Sequence, residues 1–528
     1  MKRALLGENA LLLYSLLIAM ALLLVKVEDF PIYFATDEAL QAVKAEELLH
    51  NGLRDERGYG FPMTIRGTQT AHLGLAVHLN MPGVLLFGKQ IWVVRATTVM
   101  VFLVGAAYVA LTLKHIYQVA FVAYAVLYFA SIPIAFLHAR TGYETAIATA
   151  LFAAFLYHYL RYRTGSPRHI IPAAVFLMLS IYTYAGIWPS LAALAFLLGV
   201  LDLPYHWRQR RYAAMGALLC LLMALPLVHY YAANRALLEE NLSAHGSVSS
   251  TDEPVSARLA AAVQNYGQAV NPRVLFTYAP DYFPAYYQRD YLAGYGYFAT
   301  WSLPFVLLGL VGALWRIRQA PYWVLLAALL TAPLGGTLVP PHPTRILNLI
   351  VPMTLLFGLG IDLMFAYLKK KGRPSMVQAA RYLLFVALIA QFAALTYDSL
   401  VNGPTWFRDY TTRNGMTWGA KQVFEVVREL APAYDEINVV PNFAFHSQIY
   451  SEFFLDPDLA SKVSYYDVAE FGAIGAWPSS TAVICPREEC LALLSDPHYP
   501  HVSVARIIPA PDGSPGFLVL TRDDAISP

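Results

Sequence analysis

Runs of about twenty apolar residues recur along the first 400 residues of this chain, separated by short charged stretches. A run of that length crosses the hydrocarbon core of a bilayer as a helix, since a helix satisfies its own backbone where no water is present. Candidate spans lie near 10–27, 92–113, 118–137, 145–160, 170–183, 186–203, 212–232, 297–315, 322–338, 345–366 and 380–397, about eleven in all. Charged residues make up only 14% of the 528, against about a quarter in soluble domains, so most of the chain faces lipid or other apolar helices. There is no dense basic tract, which argues against nucleic acid as a partner. The first apolar run follows Met1-Lys2-Arg3 and shows no small-residue cleavage site, so an uncleaved first helix is expected rather than a signal peptide.

Charge then orients the spans. The basic clusters are Lys2-Arg3, Arg161/Arg163/Arg168, Arg208/Arg210/Arg211, Arg316/Arg318 and Lys369-Lys370-Lys371/Arg373. With the amino terminus inside, all of them fall on one face, as lysine and arginine prefer the cytoplasmic side. The exported face receives loop 28–91, the turn 138–144, loop 233–296, the turn 339–344 and the tail from about 398. The expectation is a multi-pass protein of the cytoplasmic (inner) membrane that works at its outer face. The tail, 401–528, alternates β-branched runs (437–441, 481–486, 502–508, 516–521) with amphipathic stretches (420–431, 487–495) and reads as a small extracytoplasmic α/β domain. Two of the three cysteines, Cys485 and Cys490, fall there; spacing alone leaves a disulfide between them open.

Four exported stretches carry chemistry. Asp37 and Glu38 lie in "YFATDEALQ", just past the first span. One reading is a helix start, with Thr36 or Asp37 as N-cap and the acids favouring the helix dipole. The other is a carboxylate acting as general base or metal ligand at the membrane surface. "HARTGYET" packs His138, Arg140, Tyr143 and Glu144 into one short turn, where ionisable groups near hydrocarbon are expensive. "HPTR" brings His342 and Arg345 to the start of a late span, where a guanidinium fork suits phosphate oxygens. "FTYAPDYFPAYYQRDYLAGYGYF" crowds tyrosines around Asp281, Arg289 and Asp290, as an interfacial belt or a sugar-stacking groove. Arg95, four residues into the second span, reads as a helix anchor.

Taken in order, these motifs resemble the polytopic C-superfamily (GT-C) glycosyltransferases, most of all the bacterial branch related to protein O-mannosyltransferases and the lipid A aminoarabinose transferase. "TDEA" matches that family's acidic motif in the first exported loop, and "RTGYE" its "R-x-G-[FY]-E" turn. "LSIYTYAGIWP" (179–189), "HPTR" and "MPGVLLFGKQIWVVR" (81–95) match three further stretches. The likeness covers about 1–400, the transmembrane glycosyltransferase region. One departure is loop 60–75, which lacks the Pro-Pro-Leu stretch of many relatives. The resemblance implies a sugar donor on a polyprenyl phosphate and a hydroxyl acceptor on a glycan, lipid or protein. It implies inversion, with Asp37 as general base and Glu38 and Glu144 positioning sugar or acceptor. Asp37, Glu38 and Glu144 would also hold a divalent cation (Mg or Mn), if one is used. Arg345, with His342 and Arg140, would hold the phosphate, and Tyr143 would line the substrate.

A flippase or transporter of lipid-linked sugars is the competing class. It calls for charges deep inside spans and broken helices in matching halves. This sequence has no internal repeat, and its acids cluster on one exported face.

Overall fold

In the computed structural model, the described residues are 7–66, 71–235, 253–279, 289–338, 342–372, 374–412, 415–473 and 477–522. Asp281 and the basic residues Lys2, Arg3 and Arg373 lie outside them. Helix α1 is Glu8–Leu24, apolar but for Glu8, Asn9 and Ser15. The segment that follows holds α2 (Thr36–His50), a hairpin of β1 (Thr64–Arg66) with β2 (Ala71–Leu73), and α3 (Leu75–Phe87). Next comes α4 (Ile91–His115). The span expected at 118–137 is two helices, α5 (Ala123–Ser131) and α6 (Pro133–Ala139). Pro133 has no backbone N–H to continue the ladder, so it opens a new helix instead. Helix α7 (Glu144–Arg163) returns across.

Among the described residues, four helices are long and apolar enough to cross a membrane: Ile91–His115, Arg210–Ala233, Pro343–Lys370 and Ser375–Val401. Shorter apolar helices stand at Glu8–Leu24, Leu75–Phe87, Pro167–Ile181, Ala185–Leu201, Thr300–Trp315 and Ala320–Gly336. The helices Leu303–Trp315 and Ile350–Lys370 cross where Gly309 meets Gly360. A Cβ on either glycine would come within 1.9 Å of a carbonyl oxygen of the other helix, so only glycine permits this approach.

Contacts sort the loops into two sets, the same two that the charge pattern separates. On one side Lys114 donates to Asn9 (2.7 Å), the Tyr117 hydroxyl to the Pro321 carbonyl (2.7 Å), and Arg163 to Asp202 (2.6 Å). On the other, Arg95 reaches the Val27 carbonyl (2.8 Å), Arg140 the Leu23 carbonyl (2.8 Å), and Tyr297 the Pro343 carbonyl.

The tail forms a five-stranded sheet in the order β4-β3-β5-β7-β6, with β3 Glu436–Val439, β4 Val463–Ser464, β5 Thr481–Pro486, β6 Val502–Pro509 and β7 Pro515–Arg522. The pairs β3–β4 and β3–β5 are parallel; β5–β7 and β6–β7 are antiparallel. Every residue of β5 is buried. The tail sits on the segment between α1 and α4: Phe34 packs among Tyr450, Phe453 and Phe454, and Lys89 donates to the Glu452 carbonyl (2.7 Å).

Cys485 and Cys490 are joined by a disulfide, tying the end of β5 to the helix Arg487–Leu494. Closing so small a loop is worth about 2 kcal/mol by chain-entropy reasoning. Replacing both cysteines by alanine is expected to lower the tail's resistance to proteolysis and heat by that amount, while the wild type shows the same loss on reduction. Identical digestion rates with and without reductant would remove this role.

Candidate active site

The two adjacent acids part ways at the start of α2. Ala35 is the N-cap, so Thr36, Asp37 and Glu38 occupy the first three helical positions. The cap expected of Thr36 or Asp37 is made by Glu38 instead: its Oε1 accepts from the Ala35 N–H at 3.1 Å. Its Oε2 accepts from Arg95 Nε and from the Gly142 N–H, both at 2.9 Å. Glu38 and Arg95 are fully buried. The rest of the Arg95 guanidinium donates to the carbonyls of Val27, Pro31 and Tyr33. Arg95 therefore anchors its helix, as its position in the sequence suggests, and does so through Glu38 and segment 27–33. Glu38 departs from the role of sugar-positioning acid: its two oxygens hold α2, α4 and the 140–144 turn together.

That turn needs its glycine. A Cβ on Gly142 would come within 2.5 Å of Val94 and 3.0 Å of Glu38. Gln41 donates to the Gly142 carbonyl (2.7 Å) and accepts from Asn80 (2.9 Å), so the turn is pinned to α2 from both sides. Arg140 departs from the phosphate-ligand role. Its guanidinium is buried and donates to the carbonyls of Leu22, Leu23, Val25, Lys26 and Phe30, closing the end of α1.

Asp37 is left exposed on the second helical position, with its side chain outside the cap. Its charge is felt by Glu144, His72 and Arg289, which belong to three other segments. Glu144 is half-buried at the start of α7. Tyr143 is buried, its ring 6.3 Å from those of Tyr33 and His138. His72, on β2, has its imidazole pushed below the ordinary value by burial, against the pull of Asp37; His446 beside it adds to the fall.

A second wall comes from two late segments. His342 Nε2 lies 3.0 Å from Asp290 Oδ2, and its Nδ1 accepts from the Thr344 N–H at 3.2 Å. A ring nitrogen that accepts from a backbone N–H carries no proton, so the Nε2–H tautomer donates to Asp290. Burial pushes the His342 imidazole down despite Asp290, in keeping with a neutral ring. Burial also opposes the Asp290 charge, but His342 and Arg289 outweigh it and hold the carboxyl below its usual range. Both nitrogens of His342 thus have protein partners, so it caps the segment Pro343–Leu349 and orients Asp290 rather than gripping a phosphate. Arg345 is half-buried next to Tyr184 and His342. Buried polar atoms here, among them Tyr33 Oη, His138 Nε2, Arg289 Nε and Asp290 Oδ1, have no hydrogen-bond partner among the described residues.

No family model matches the sequence, and no curated protein matches it. Solved structures do match. ArnT from Cupriavidus metallidurans in the apo state is similar with a TM-score of 0.60 and 13% identity, over 98% of this chain and 98% of that one. ArnT of the same organism bound to undecaprenyl phosphate gives 0.59 and 13%, over 99% and 100%. The oligosaccharyltransferase AglB from Archaeoglobus fulgidus gives 0.47 and 12%, over 91% of this chain and 69% of that one. The chain has the GT-C fold.

On this fold Asp37, Tyr143, Glu144, Arg289 and Arg345 come from segments that lie near one another, with Glu38, Arg95 and Arg140 behind them as framework. Sequence reasoning noticed Arg289 and Asp290 only as members of a tyrosine-rich belt, and it gave no signal for His72 or His446. A divalent cation does not fit what is present. Among the described residues no three His, Cys, Asp or Glu side chains come together as ligands, and Glu38 is bound to Arg95. No step below is routed through a metal.

Proposed function

We propose that this protein transfers a sugar from a polyprenyl phosphate to an acceptor hydroxyl at the outer face of the cytoplasmic membrane. The observation that carries the proposal is the separation of the two acids. Glu38 is locked into the framework, while Asp37 is held exposed, its charge felt by Glu144 and Arg289, on a GT-C fold. The ArnT structure bound to undecaprenyl phosphate supports a lipid phosphate as the donor's leaving group.

The chemistry follows from these groups. Asp37 takes the proton of the acceptor hydroxyl as its oxygen attacks the anomeric carbon. The bond from that carbon to the phosphate oxygen breaks, and the electron pair leaves with the polyprenyl phosphate. Phosphate is a good leaving group and needs no general acid, unlike the two-carboxylate arrangement of glycosidases. It does need positive charge, which Arg345 and Arg289 supply. A single displacement inverts the anomeric centre. Glu144 and Tyr143 orient the sugar. The disulfide supports an exported tail, and the sorting of loops agrees with the charge pattern that puts the amino terminus inside. The division at about residue 400 then separates the membrane region from the tail.

Arg345→Ala and Arg289→Ala are each expected to weaken binding of undecaprenyl phosphate by tenfold or more, as loss of a charge-assisted hydrogen bond costs roughly 1.5–3 kcal/mol. Binding measured by native mass spectrometry on purified protein checks this. Unchanged affinity in both variants would move the phosphate elsewhere.

A further inference from the structure

Two aromatic side chains point away from a short loop that the proposed reaction does not use. Between α2 and β1 the chain doubles back, with Arg54 and Gly60 paired as an antiparallel bridge. The loop is tightly held. The Asp55 N–H donates to the Tyr59 carbonyl (3.1 Å), and the Phe61 N–H to the Leu53 carbonyl (2.9 Å). The Asp55 carboxylate accepts from Arg57 Nε (2.7 Å) and from the Tyr59 N–H (2.9 Å). Yet Tyr59 is 59% exposed and Phe61 61%. Phe61 has φ +48°, a region that bulky residues rarely enter, and such strain tends to persist where a side chain is held for use.

The neighbours of the loop indicate what covers these rings. The Arg57 guanidinium lies 5.3 Å from the Tyr59 ring centre and 5.4 Å from that of Tyr230. Tyr230 stands near the end of Arg210–Ala233, a helix long and apolar enough to cross a membrane. In the hairpin that follows the loop, Leu73 is buried with Met178, Tyr182 and Leu227, and Met63 packs at their edge. Leu227 is six residues short of the helix end, about 9 Å along its axis, so the hairpin packs alongside the helix rather than beyond it. The same helix exposes Leu218, Leu221, Leu222, Leu225 and Val228, a face suited to lipid. Tyr59 and Phe61 continue that apolar surface at the helix end, the depth that aromatic rings favour. We propose that the tip 59–61 is a membrane-binding element, with Tyr59 and Phe61 bedded in the headgroup region of the leaflet at that end of the helix. The inference rests on the membrane reading of the apolar helices and adds a lipid contact outside them. A carbohydrate would also stack on exposed rings, but the position of the hairpin against the helix favours lipid.

The test uses the full-length protein in nanodiscs of phosphatidylcholine and phosphatidylglycerol. The free cysteine is removed by Cys220→Ser, and a single nitroxide label is placed by Tyr59→Cys, Phe61→Cys, Leu222→Cys or Asp458→Cys. Power-saturation EPR compares collisions with oxygen, which concentrates in lipid, and with a water-soluble nickel chelate. Leu222 reports the apolar helix face, and Asp458, exposed on the tail, reports water. The oxygen-to-nickel ratio at 59 and 61 is expected to lie severalfold above that at 458. Water-like ratios at 59 and 61 beside a lipid-like ratio at 222 overturn the proposal. Labels at 59 and 61 that lose nickel access only when a soluble glycan is added overturn it too, and assign the tip to a carbohydrate. A water-like ratio at 222 would instead defeat the membrane reading beneath it. If the cysteine variants do not fold, the wild type answers the same question. A phospholipid with a headgroup diazirine, photoactivated in the nanodisc, is expected to label Tyr59 and Phe61, and labelling of Arg210–Ala233 without them overturns the proposal.

Discussion

Asp37→Asn is expected to reduce sugar transfer by about a thousandfold, within the 10²–10⁴ range of general base catalysis. The amide keeps the size and shape of the carboxylate and loses only its basicity. Because the side chain is exposed and outside the helix cap, the fold is expected to be unaffected. Binding of the lipid should also survive, since the phosphate is held by other residues. The variant is therefore expected to purify with an intact polyprenyl-phosphate sugar, where the wild type carries polyprenyl phosphate or little lipid. Mass spectrometry of co-purified lipid reads this directly and names the sugar. Near-normal transfer by the variant would remove Asp37 from the chemistry. The same intact sugar lipid on both proteins would favour the transporter class over the transferase.

The sequence carried the membrane architecture because lipid imposes a coarse and repetitive constraint. Twenty apolar residues and a charge bias are readable without tertiary knowledge. The tail strands were legible for a similar reason: buried β-branched runs such as 481–486 have one good use. The split of α5 from α6 was written in Pro133, but inside a long apolar run it was outvoted by hydrophobicity. The site was less legible because its side chains are told apart by distant partners. By local preference Thr36 or Asp37 is a better N-cap than Ala35, and only Arg95, 57 residues away, makes Glu38 the cap and frees Asp37. An arginine in a short turn between two apolar runs reads the same whether it faces a lipid phosphate or, like Arg140, five carbonyls of its own chain. The pairing of His342 with Asp290 links segments whose spacing carries no pattern at all.

Arg95→Met is expected to be the most destabilising single change, at about 3–5 kcal/mol, because it leaves the fully buried Glu38 carboxylate without its counter-charge. Two backbone N–H groups, from Ala35 and Gly142, remain on that carboxylate but carry no full charge. Segment 27–33 also loses the donors that bind its carbonyls. Glu38→Gln is expected to be harmful for the converse reason: it buries an unpaired guanidinium, and its amide group would face a backbone N–H that needs an acceptor. The double variant removes both charges together. It should therefore be less destabilised than the sum of the singles, with a coupling within the roughly 0.5–3 kcal/mol found for contacting pairs. Thermal unfolding of the purified proteins in detergent measures all three. Additive losses would mean that the pair does not act as a unit. The comparison with Asp37→Asn separates the two adjacent acids: one change should abolish transfer and leave the unfolding temperature in place, whereas changes at Glu38 or Arg95 should lower that temperature and take activity with it. That contrast follows from geometry, since Glu38 holds the start of α2 against α4 and the 140–144 turn, and Asp37 has its position only as long as that start is held.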